Sequence, residues 1–180
     1  MTRGEPAFVG SLRTQLTFTL TILPHGYTMY TELFTEALAV AADGIHSASQ
    51  STSEKLTGPI DLSKFRQVLF VIDSGTLGAS GTLDFQVKGA TTAAGSYAAI
   101  SGSAITQLVK ATDDNKYAVV MVTAEKVQAL GLNYAFIKGS LLPGTAAANS
   151  AVVVLGELAR FEPTSSNNAT TVAQTVSLWR

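Results

Sequence analysis

The sequence predicts a mainly all-β protein: an antiparallel β-sandwich or jelly-roll-like domain with an N-terminal arm and room for one short helix. Three observations carry this. Several segments alternate apolar and polar residues with a period of two, the signature of half-buried strands. About six to eight such segments are spaced near the 8–12 residues typical of sandwiches and barrels. No long helical pattern alternates with them, which disfavours a parallel α/β sheet.

The first strand pattern is Gln15 to Ile22, where Leu16, Phe18, Leu20 and Ile22 alternate with Thr17, Thr19 and Thr21. It reads equally as an edge or arm strand pairing with another subunit. Pro24-His25-Gly26 ends it. Over residues 27–42, Leu33, Phe34, Ala37, Leu38 and Ala41 fall on one helical face, which favours a short helix capped by Thr31. Thr and Val in the same stretch also suit a strand. Ser47 to Thr57 is polar, a loop or an exposed strand, and Gly58-Pro59 breaks the chain.

From Ile60 onward the pattern is β. Phe65 to Asp73 contains Val-Leu-Phe-Val-Ile, a run expected of a strand covered on both faces. Thr82 to Lys88 alternates, with Leu83, Phe85 and Val87 inward and Asp84, Gln86 and Lys88 outward. The Gly/Ser-rich stretch from Ser74 to Gly81 between them is read as a hairpin loop. Short strands are expected at 97–100 and 105–109, a turn at Asp113-Asp114-Asn115, and a strongly apolar strand over 117–123. A helical turn over 125–130 ends at Gly131, and another strand follows at 133–138. Leu142-Pro143-Gly144 is read as opening a loop. Ser150 to Phe161, with Ala-Val-Val-Val-Leu, is a buried strand, and 171–179 a final strand or docking tail. The organisation expected is an arm over 1–59, a sandwich core over 60–162 and a C-terminal tail over 163–180.

Composition bounds the function. The chain has 180 residues, enough to bury a core without disulfides or metals. Apolar residues make up 46% and charged residues 14%, against roughly 25% charged in ordinary soluble domains. Low charge with much Ser, Thr, Ala and Gly points to a surface partly covered by other subunits. The net charge is −1 and no basic stripe exists, so no nucleic-acid partner is expected. Apolar runs such as Val68 to Ile72 are far short of a membrane span, and the first residues have no signal-peptide pattern. No membrane partner is expected.

No catalytic centre is expected. The chain lacks cysteine, and its two histidines, His25 and His46, sit in turn-like contexts without a second metal ligand at binding spacing. Glu32 and Glu36 would share a helix face, more in keeping with solvation than with paired-acid chemistry. Asp113-Asp114-Asn115 offers oxygen ligands for calcium but lacks the rest of an EF-hand loop, so a plain turn is favoured. The Ser74–Gly81 stretch has no Gly-Lys-Ser/Thr ending and leads into a strand, not a helix. No cofactor, metal or enzymatic activity is expected. The candidate functional residues are interface residues: Leu16, Phe18, Leu20 and Ile22 in the arm, and Leu178, Trp179 and Arg180 at the end, where aromatic and Arg side chains are favoured anchors.

The segments Ile60 to Phe65, Val68 to Gly75, Leu83 to Ala90 and Ser96 to Gly102 resemble small phage and prophage virion structural proteins, as do Asp114-Asn115-Lys116 and the Val-rich strand Val152 to Arg160. The resemblance spans residues 60–160 and its motifs are structural. It implies a capsid decoration, or cement, protein that stabilises the shell by binding the major capsid protein. Another virion part (tail tube, head–tail connector or fibre base) is the alternative. A carbohydrate-binding module is a further alternative, with Tyr97, Tyr117, Tyr134 and Trp179 as aromatic candidates. The expected state is a homo-oligomer, a trimer favoured by clustering at a shell axis. The expected location is the virion, after assembly in the host cytoplasm.

Overall fold

Val68, Phe70 and Ile72 alternate along one strand and Leu83, Phe85 and Val87 along another, and all six are buried. Facing each other across two layers, they build the core. The computed structural model describes residues 37–159 and 171–174. In chain order its elements are β1 (Leu38–Val40), β2 (Ile45–Gln50), β3 (Lys55–Leu56), β4 (Ile60–Asp61), β5 (Phe65–Asp73), β6 (Thr82–Ala90), β7 (Ala98–Ala99) and β8 (Leu108–Val109). Then come α1 (Lys110–Asp113), β9 (Tyr117–Thr123), α2 (Ala124–Ala129), β10 (Phe136–Gly144) and β11 (Ala148–Ala159).

Two antiparallel sheets result, as the all-β expectation requires. In the first, β11 pairs with β1 and β2 along one edge and with β5 along the other, and β5 pairs with β9. In the second, β10 pairs with β3 and β4 on one side and β6 on the other, and β6 pairs with β7 and β8. From β5 onward the main strands alternate between layers: β5, β9 and β11 in the first sheet, β6 and β10 in the second. Phe70 of β5 and Phe85 of β6 meet across the interior, ring centroids 5.5 Å apart and tilted by 52°. Gly139 of β10 lies against both rings. A Cβ there would stand 2.9 Å from Phe85 and 3.1 Å from Phe70.

Several expectations change. The Ser74–Gly81 stretch is not a hairpin, because β5 and β6 lie in different sheets. Leu77 is buried within it and bridges to Ala148, and Gly78 N–H donates to Ala147 O. The stretch therefore crosses between layers and is pinned to the β10–β11 turn. Leu142, Pro143 and Gly144 do not open a loop but continue β10, opposite Asp84, Leu83 and Thr82. Pro143 is tolerated so close to the strand end, where few ladder bonds remain to lose. The C-terminal part of the 27–42 helix is instead strand: Leu38–Val40 pairs with Glu157, Gly156 and Leu155. That pairing supplies hydrogen bonds a terminal helical turn would leave open; residues 27–36 lie outside the described residues. The sandwich also draws in residues 38–56, assigned from sequence to the arm, through β1, β2 and β3.

The short helix α2 forms where expected. Thr123 Oγ1 accepts from Lys126 N–H at 3.2 Å as its N-cap, and Gly131 follows its end with φ of +69°. Gly44 before β2 is set by close approach: a Cβ there would lie 2.2 Å from Val152 O, beside the β2–β11 register shift. Gly44→Ala must push two backbones apart, so it is expected to cost about 1–3 kcal/mol. A lower urea midpoint with an unchanged slope would show it.

Candidate docking face

β6 and β10 show what a solvated outer face looks like in this fold. Their outward residues include Asp84, Gln86, Lys88, Lys138 and the exposed Leu142, together with Ser140, which is buried and bonded to Glu54. Lys88 and Lys138 stand directly opposite each other, and like charges in that position repel. The repulsion is relieved on both sides. Glu54 pairs with Lys88 and accepts from the Ser140 hydroxyl. Those bonds, Lys88 first and Ser140 second, hold the Glu54 carboxyl below its usual range. Lys138 Nζ lies 4.4 Å above the Tyr97 ring, and Gln107 Nε2 donates to Asp84 Oδ2 at 2.8 Å.

The first sheet is different. Its strand register sets outward residues in rows: Ala151–Asp73–Tyr117, Val153–Val71–Val119, Leu155–Leu69–Met121 and Glu157–Gln67–Thr123. The two middle rows are wholly apolar and the outer rows carry the polar groups. Val119 and Met121 are each 60% exposed, Val153 49% and Tyr117 71%. Leu69, Val71 and Leu155 are half-buried. Isolated exposed apolar residues are ordinary on proteins, but a contiguous patch marks a contact surface.

The sequence signal for this face lies in the three runs Val-Leu-Phe-Val-Ile, Ala-Val-Val-Met-Val and Ala-Val-Val-Val-Leu. Unlike β6 they place apolar residues at both parities. Such strands are normally covered on both sides, and here the core covers one. Sequence reasoning named other residues. Leu16, Phe18, Leu20, Ile22, Leu178, Trp179 and Arg180 all lie outside the described residues.

Beside the apolar rows a cavity of about 370 Å³ opens, lined by Val40, Ile45, His46, Val153, Thr171 and Val172 among others. Among the described residues His46 is its one titratable group; the side chain is 82% exposed and stands 3.4 Å from Asp43. The lining offers apolar contact rather than paired acid–base groups.

The carboxylates at 113 and 114 serve the fold. Asp114 Oδ1 accepts from Leu77 N–H at 2.8 Å, and Oδ2 from Lys110 Nζ at 2.9 Å. Asp113 Oδ2 accepts from Val109 N–H at 3.0 Å and the Thr112 hydroxyl at 2.9 Å. The buried Ser74 hydroxyl joins the same knot: it bonds Asp113 O at 2.6 Å and receives Lys116 N–H at 3.0 Å. Among the described residues no three acidic or imidazole groups converge as a metal site would require. Lys110 and then Leu77 N–H hold the Asp114 carboxyl below its ordinary value, and Val109 N–H and then Thr112 do so for Asp113. A carboxyl depressed on folding stabilises the fold above its unfolded value and loses that contribution as pH falls through the folded one. The urea midpoint is therefore expected to drop as pH falls below the ordinary value of 3.8. Asp114→Asn should flatten that acid limb.

Tyr97, Tyr117 and Tyr134 do not assemble one platform. Tyr97 lies under Lys138 on the second sheet, Tyr117 stands on the first, and Tyr134 packs against Gly89, where a Cβ would meet its ring. No protein-family model matches the chain, and no curated protein matches it.

Proposed function

We propose that this protein is a virion structural component of the capsid decoration type, and that it stabilises the shell by laying the outward face of its first sheet on the major capsid protein. The observation that carries this reading is the contrast between its two outer faces. One carries paired charges and, beside them, the exposed Leu56 and Leu142; the other presents two contiguous apolar rows across β11, β5 and β9. Fully burying a Val, Leu or Met side chain is worth about 1.5–3 kcal/mol, so such a face gains substantially from a partner. The core of a protein interface is depleted in Lys, Glu and Asp, and the Val153–Val71–Val119 and Leu155–Leu69–Met121 rows contain none. A two-layer scaffold whose described residues tie the Asp113 and Asp114 carboxylates into structural bonds suits clamping better than turnover. The resemblance of residues 60–160 to phage virion proteins supplies the partner's class.

The test is to mix the purified chain with empty shells assembled from the major capsid protein encoded alongside it. Co-sedimentation at fixed stoichiometry, with shells surviving a higher temperature than bare ones, is the expected result. Free protein beside unprotected shells would remove the decoration reading; rings or tubes formed without shells would move the chain to the tail or connector.

A further inference from the structure

Strand edges are where sheets recruit further chains, and most edges of this sandwich are short. Along them β1, β3, β4, β7 and β8 have two or three residues each, and β2 has six, with His46 and several small polar residues. Short edges of this kind discourage pairing. β9 is the exception. It runs seven residues, Tyr-Ala-Val-Val-Met-Val-Thr, with no charge, proline or glycine. Among the described residues it pairs with β5 alone, in unbroken register from Gln67–Thr123 to Asp73–Tyr117. Among the described residues none of the usual guards against edge pairing is present on it.

We infer that β9 pairs antiparallel with β9 of a second copy of this chain, about a two-fold axis at Val120. The strand is self-complementary in that register. Tyr117 then faces Thr123 of the other copy, Ala118 faces Val122, and Val119 faces Met121. All seven residues pair and no like charges meet. The flanks are complementary as well. Lys116, just before the strand, comes beside the other copy's Ala124–Glu125 end, and both Lys116 and Glu125 are exposed. Cross-strand Val–Met contacts would continue the apolar rows from one copy into the next, and the two first sheets would become one. The arrangement is isologous and closes on itself, so it yields a dimer rather than a fibre. It differs from the trimer expected from shell symmetry, because it follows from the strand's own register. It does not rest on the capsid reading and is tested without shells.

The register makes a charge test specific. Val119→Lys with Met121→Lys sets ammonium against ammonium at two facing positions. Val119→Lys with Met121→Glu sets each ammonium against a carboxylate. Light scattering on the full-length protein should give twice the 18.8 kDa chain mass for the parent, monomer for the first variant and dimer again for the second. Circular dichroism and melting of each variant confirm that it is folded. A monomeric parent, or a dimer unaffected by the doubly basic variant, overturns the proposal. So does a doubly basic monomer that the mixed-charge variant fails to rescue. Protection of β9 amides from hydrogen exchange in a monomeric parent would assign the edge to this chain's own residues 15–22 instead, and would equally overturn it.

Discussion

Phe70→Ala is expected to be among the most destabilising single substitutions, at about 3–5 kcal/mol. Phe70 is fully buried on β5, the central strand of the first sheet between β11 and β9. Its ring holds the two layers together through Phe85 and fills the space that Gly139 leaves open. Truncation removes the transfer energy of the ring and leaves a cavity that neighbouring backbones cannot close. Native domains are stable by only about 5–15 kcal/mol, so a large part of the folded margin is at stake. Urea unfolding should show a much lower midpoint. Phe70→Leu, which keeps most of the volume, should lose far less. Equal losses for the two would mean that the ring contact is not what the core depends on.

The second large effect is on binding rather than folding. Val71→Glu combined with Val153→Lys places an opposite-charge cross-strand pair in the middle of the apolar face. Val71 is half-buried and Val153 exposed, so stability should change by no more than about 1 kcal/mol. Docking must now desolvate two charges, expected to cost at least about 3 kcal/mol, or a factor of roughly 100 in shell affinity. Lys138→Ala on the opposite face serves as the control and should leave binding within about twofold. Val153 does not pair with β9 but Val71 stands opposite Val119, so the oligomeric mass of the variant is measured alongside shell binding to read loss of docking separately from loss of dimerisation.

Much of the fold was legible because period-two patterning is a direct consequence of a one-sided core. β6 shows it clearly, with Leu83, Phe85 and Val87 inward. The limits of β9 and the position of α2 also followed from local signals: an apolar run and a terminal Gly. What misled was long-range pairing. Nothing local in Ser74–Gly81 says that its two flanking strands belong to different sheets; that is decided by Leu77 entering the core beside Ala148. Leu38–Val40 has helical spacing, yet β11 offers it a partner far along the chain. Gly144 and Pro143 carry turn chemistry, but the β6 ladder runs through them and ends at the Gly144–Thr82 pair.

The docking face was half legible. Apolar runs marked β5 as a strand covered on both faces, β11 as buried and β9 as strongly apolar, but not which side lacked its cover. That became visible only when the core was seen to occupy Val68, Phe70 and Ile72 and to leave Leu69 and Val71 outward. The self-complementary edge of β9 needed the topology too, since the sequence does not show that the strand is last in its sheet among the described residues.

The most direct measurement is cryo-electron microscopy of shells assembled from the co-expressed major capsid protein with this chain. A sandwich seated at regular positions on the shell exterior, with Leu69, Val71, Met121 and Val153 against the capsid surface and Lys88 and Lys138 toward solvent, is the expected result. A bare shell, density confined to the tail or connector, or a sandwich bound through the Lys88–Lys138 face would contradict the docking assignment.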